Sequence, residues 1–189
     1  MTLMYIHGYG STGQAYKAKL LQEMFPEHRV VSPTLDYDGL SPQSLLSQLR
    51  QVIEQESPSL VVGSSMGGYF ALCCTSFYRG KVWCINPVRD MIATLSQLAE
   101  SRPELKTNEQ AKSIFERRLA EYCDFEKSVF RSLHPADGQL SFALSTDDEL
   151  LGDHRPLLEL FPNYDKVVWK SNCGHRFMRF SEIKDELQP

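Results

Sequence analysis

The sequence has no surplus of basic residues: 20 Lys and Arg face 24 Asp and Glu, a net charge of -4. A protein that grips nucleic acid carries cations to offset phosphates, so nucleic acid is not an expected partner. Cysteine is scarce and odd in number, five in all, with no Cys-x-x-Cys. That argues against a disulfide framework and points to reduced thiols in a cytoplasm. No His-Glu-x-x-His pattern or cluster of ligands at usable spacing occurs, so no metal is expected. Met1 to His7 lacks the basic and long apolar stretches of a secretory signal. Long apolar runs are missing too, with one exception. Leu60 to Tyr78 carries no charge, but Gly63, Ser64, Ser65, Gly67 and Gly68 interrupt it. A buried strand, a tight turn and a buried helix account for it better than a membrane span, and no membrane partner is expected.

What is present is core-forming material, since 42% of the residues are apolar. That suits one domain spanning 1–189. Short apolar runs alternate with stretches of helical spacing. Strands are expected at Leu3–Ile6, Arg29–Leu35, Leu60–Gly63, Lys81–Asn86, Leu140–Leu144 and Lys166–Lys170. Helices are expected at Gln14–Phe25, Pro42–Glu56, Met66–Tyr78, Arg155–Leu160 and Ser181–Leu187. The alternation predicts βαβ units and an α/β fold with a parallel sheet of about six strands. Between strands four and five, residues 88–137 are too long for one crossover and read as a helical insertion.

The strongest local signal is Gly63-Ser64-Ser65-Met66-Gly67, a G-x-S-x-G between an apolar strand and an uncharged helix. This is the context of a nucleophile elbow, which lifts a serine hydroxyl above the C-terminal edge of the sheet. The amide of Met66, at the helix start, would then face a developing oxyanion. The loop after strand one, His7-Gly8-Tyr9-Gly10-Ser11-Thr12-Gly13, reads in two ways. In a serine hydrolase it supplies the second oxyanion donor, the amide of Tyr9. Gly8, Gly10 and Gly13 with Asp36 also satisfy the dinucleotide fingerprint, the alternative reading, which leaves Ser65 unexplained. A phosphate-binding P-loop is excluded because Gln14-Ala15 follows instead of Lys-Ser or Lys-Thr.

A serine needs a base, and the base needs a carboxylate to hold its tautomer. In an α/β-hydrolase they follow in the order Ser, acid, His. Strand five is followed by Asp147-Asp148 and strand six by Gly174-His175. His175 is the expected base. His7 is expected to shape its loop, and His28, His134 and His154 to lie on the surface. Spacing leaves Asp147 and Asp148 both open as the acid. Tyr9, Met66, Tyr69, Arg89 and Met91 are expected around the site.

These motifs, with Asn86-Pro87, Asp148-Glu149 and Gly174-His175-Arg176-Phe177, together resemble the YqiA/YcfP-like esterase family of the α/β-hydrolase superfamily, from about Leu3 to Ile183. The resemblance implies an α/β-hydrolase fold and an acyl-ester hydrolase, and it places the acid on Asp148. The expected function is a serine esterase or related acyl hydrolase, thioesters included, acting through Ser65, Asp148 and His175. It would take a small acyl substrate and need no cofactor. A non-catalytic hydrolase-fold interaction protein is the remaining alternative.

Overall fold

Neighbouring side chains on a strand point to opposite faces, so a strand that is apolar throughout must be covered on both. That condition holds for the four central strands of a computed structural model that describes residues 1–188, while the two edge strands are only half-buried. Its elements are β1 (Thr2–Ile6), α1 (Tyr16–Met24), β2 (Arg29–Val31), α2 (Pro42–Glu56), β3 (Leu60–Ser64), α3 (Met66–Cys74), β4 (Lys81–Ile85), α4 (Met91–Glu100), α5 (Glu104–Thr107), α6 (Glu109–Ser128), β5 (Leu140–Ser145), α7 (Arg155–Leu160) and β6 (Lys166–Lys170). The six strands pair in the order β2-β1-β3-β4-β5-β6, every pair parallel. Parallel pairing brings all the strand C-termini to one edge.

Met4, Ile6, Val61, Val82, Cys84, Phe142 and Leu144 point into one core, shared with α2, α3 and the α4–α6 segment. Leu3, Tyr5, Leu60, Val62, Trp83 and Ile85 point the other way, under α1 and the C-terminal segment. All nine residues of α3 are buried, which explains its lack of charge. On α2 only one face is apolar: Leu45, Leu46, Leu49 and Ile53 are buried. Ser41 accepts from the Ser44 amide at 3.1 Å to cap this helix, and Pro42 occupies its first turn. Such a cap contributes about 1 kcal/mol.

The expected element order is found, with differences at the ends. β2 stops at Val31, not Leu35, because Pro33 has no N–H for a ladder and the chain turns to donate Leu35 N–H to His7 Nε2 at 2.9 Å. α3 stops at Cys74, not Tyr78. There the hydroxyls of Thr75 and Ser76 donate back to the carbonyls of Leu72 and Cys73, satisfying the last helical acceptors. In place of a C-terminal helix over Ser181–Leu187, the chain makes a 3₁₀ turn at Phe180–Ile183 and further tight turns. Phe180, Ile183 and Leu187 are still buried, so the apolar spacing is served without a regular helix. The insertion holds α4, α5 and α6. Its Tyr122 and Phe125 pack on Phe70 and Tyr69 of α3, which ties it to the same core.

Candidate active site

The turn between β3 and α3 is forced by close approach. A Cβ on Gly63 would lie 2.2 Å from the Gly67 carbonyl, and one on Gly67 would lie 2.2 Å from the carbonyl of Ile6. Any side chain at either position would push the helix off the sheet. Between them Ser65 adopts φ 55° and ψ -123°, a left-handed conformation that costs a non-glycine residue on the order of 1–3 kcal/mol. The surroundings hold it there. Ser65 N–H donates to the Ile85 carbonyl at 2.9 Å, and Ser65 O accepts from Tyr69 and Val88.

The loop after β6 brings His175, the expected base. Asn172, Gly174 and Phe177 all have positive φ, and the loop curls so that Cys173 and Phe177 are buried while His175 leans over the elbow. His175 Nε2 lies 2.9 Å from Ser65 Oγ. Its Nδ1 lies 3.0 and 3.1 Å from the two oxygens of Asp148, just beyond β5. An ionised carboxylate only accepts, so Nδ1 carries the proton, and Nε2 is left to accept from the serine hydroxyl.

Asp148 is buried, and beside the His175 ring its two oxygens have three further partners: the amides of Leu150 and Leu151 and the His154 ring, with His154 Nε2 at 2.9 Å. Burial by itself would raise its pKa, but the hydrogen bonds from His154, His175 and Leu151 outweigh burial and hold the carboxyl well below the usual carboxylate range. His154 is therefore not the surface residue expected. It is buried directly behind Asp148. The signal that could have found it is its six-residue separation from Asp148, one turn of loop away, but a lone histidine beside Asp153 and Arg155 reads as surface. His154→Ala removes a donor to a charged acceptor, so we expect a loss of roughly 2 kcal/mol. Read as a thermal midpoint, that is a drop of about 4–8 °C.

Asp147 faces away from His175. Its carboxylate accepts from Ser145 Oγ at 2.7 Å and from the amides of Cys173 and Gly174, which shapes the histidine loop. Glu149 accepts from the His175 amide at 2.7 Å. Asn86 joins three segments: its side-chain amide donates to the carbonyls of Gly174 and His175 at 3.0 Å, and its oxygen accepts from the Ser145 amide at 2.7 Å.

The first glycine-rich loop runs past Ser65, where a Cβ on Gly8 would stand 3.2 Å from Ser65 Cβ. His7 shapes it as expected, bonding the Gly8 carbonyl at 2.8 Å through Nδ1 and accepting from Leu35 through Nε2. Among the described residues no protein acceptor takes the amide of Tyr9 or of Met66. The Tyr9 hydroxyl donates to Asp38, and the Arg102 guanidinium lies over its ring. Tyr9 and Met66 also line a cavity of about 240 Å³ beneath the insertion. Asp36 accepts from Gly39 within its own turn at 2.8 Å. Tyr69 is fully buried and stacked on Phe130 at 4.5 Å, a packing role. Met91 is buried under Glu126, and Arg89 lines separate clefts without Ser65, so neither belongs to the site.

The profile of the uncharacterised protein family UPF0227 matches residues 2–188. The chain belongs to this family. It is the YqiA/YcfP-like family that the motifs resemble. A UPF0227 protein of Vibrio vulnificus is 27% identical over 191 residues, covering 98% of this chain and 96% of the relative. Among solved structures, an α/β-hydrolase enzyme from a lagoon-sediment metagenome superposes with a TM-score of 0.66 at 16% identity, covering 98% of this chain and 89% of that one. A carboxylesterase structure from Nitrososphaera gargenis gives 0.68 at 14% identity, covering 98% and 88%. At such identities the likeness establishes the fold alone, and this chain has the α/β-hydrolase fold. No helix among the described residues is long and apolar enough to cross a membrane.

Proposed function

We propose that this UPF0227 protein is a serine hydrolase of small acyl esters, thioesters included. The observation that carries the reading is the unbroken chain of hydrogen bonds from Ser65 Oγ through His175 to Asp148. Ser65 Oγ attacks the acyl carbonyl as its proton passes to His175 Nε2. Asp148 keeps the proton on Nδ1 and stabilises the imidazolium. The amides of Tyr9 and Met66 hold the oxyanion; losing one such donor costs on the order of 100–1,000-fold in turnover. His175 then gives its proton to the departing alcohol or thiol as the bond to it breaks, leaving an acyl-Ser65 ester. A water, deprotonated by His175, releases the acid and restores the hydroxyl. The cycle uses side chains, two backbone amides and water, and nothing in it calls for a cofactor.

The strained elbow supports this role. A non-glycine residue is kept in a costly conformation only when its surroundings over-determine it, and such residues cluster at reacting centres. The test is a fluorophosphonate probe followed by mass spectrometry of the tagged peptide. Modification is expected on Ser65; a protein left unlabelled, with no turnover across a panel of acyl esters, would make it a non-catalytic member of the fold.

A further inference from the structure

The serine opens into a cavity of about 470 Å³ whose wall holds two cations, Lys17 and Arg176, and no carboxylate. Lys17 stands in the first turn of α1, and Arg176 directly follows the base. Neither makes an ion pair or side-chain hydrogen bond with any described residue. In the cavity beneath the insertion the arginines are compensated: Arg102 pairs with Asp38 at 3.5 Å, and Arg118 with Glu121.

A half-buried charge without a partner is costly, and proteins ordinarily pair it or leave it in water. Here Lys17 is half-buried, with Arg176 of like sign nearby. Burial, then repulsion from Arg176, pushes its ammonium down to about 8, so it is still largely charged at neutral pH. A bound anion would relieve both penalties together. The rest of the wall is apolar where it matters. Phe177 and Phe180 are buried behind the site, while Tyr16 and Met178 are 72% and 69% exposed at its mouth. Large apolar side chains left exposed beside unpaired cations suit a ligand with a carbon chain and a charged end.

We propose that Lys17 and Arg176 form an anion subsite beside Ser65, so that the preferred ester carries a carboxylate or other negative group. The inference rests on the serine-hydrolase reading and names the substrate class of that same site. The charge can lie on the acyl side or on the leaving group, and two pairs of esters separate these. Mono-4-nitrophenyl adipate against 4-nitrophenyl hexanoate places it on the acyl side. 3-Carboxy-4-nitrophenyl butyrate against 4-nitrophenyl butyrate places it on the leaving group.

In one pair the anionic member is expected to have the higher kcat/KM, by on the order of tenfold or more, the scale of a charge-assisted contact. That preference should shrink as salt is added, a reading on the unaltered protein that needs no variant to fold. It should fall in Lys17→Met and in Arg176→Met and reverse in Lys17→Glu. Equal rates within both pairs, in a protein whose Ser65 takes the fluorophosphonate, would overturn the subsite and leave the hydrolase standing. A preference that survives both methionine variants would also overturn it. An unlabelled Ser65 with no turnover of any ester removes the hydrolase reading and the subsite together.

Discussion

Ser65→Ala is expected to lower kcat by about 10⁴–10⁶-fold and to abolish fluorophosphonate labelling, with the fold unchanged. The magnitude follows from the way a triad works. The serine, base and acid act as a unit, so removal of the nucleophile alone forfeits nearly all of their combined effect. What survives is catalysis by the oxyanion donors and by binding, which do not need the hydroxyl. Stability should not fall. Ser65 Oγ bonds only to His175 among the side chains, and the backbone contacts to Ile85, Tyr69 and Val88 do not involve it. Alanine does face the same left-handed conformation, φ 55°, as serine does, so the strain is common to both. Single-turnover kinetics with an activated ester, beside a thermal melt, would check both halves. Turnover within tenfold of the parent would mean that another residue does the chemistry.

The second large effect separates two adjacent aspartates. Asp148→Asn is expected to cost on the order of 10⁴-fold in kcat, because an amide can donate to Nδ1 and thereby favour the wrong tautomer of His175. Asp147→Asn should cost far less. Asp147 bonds the amides of Cys173 and Gly174, so its loss loosens the loop that carries His175 without altering the protonation of the ring. We therefore expect a modest fall in kcat and a lower melting temperature in that variant, and a steep fall in kcat in the other. Steady-state kinetics on one ester settles the order, and the opposite result would move the acid to Asp147. Asp148→Asn also leaves the buried His154 facing an amide instead of a carboxylate, so some loss of stability should accompany its loss of rate.

Much of the site can be read along the chain because each part follows a strand end. Gly63, Ser65 and Gly67 declare the elbow through steric necessity, and His175 and Asp148 fall where parallel strands deliver loops to one edge. Spacing could not choose between Asp147 and Asp148, since neighbouring residues on a turn point in different directions and the turn is set by contacts 26 residues away, at Cys173. Asn86 showed only as part of a motif. Its work as a tie between β4, Ser145 and the histidine loop depends on three segments meeting, and no local pattern encodes that.

Apolar periodicity and glycine placement were enough to set the α/β architecture and the strand edge at which Ser65 and His175, the proposed nucleophile and base, were expected, because burial and close backbone approach act on residues near one another in the chain. Folding in three dimensions was needed to bring Asp148 and not Asp147 against His175, to place His154 behind it, and to leave Lys17 and Arg176 together without a counter-charge. Electrostatic partnership is a matter of distance through space, and 159 residues of chain separate those two cations.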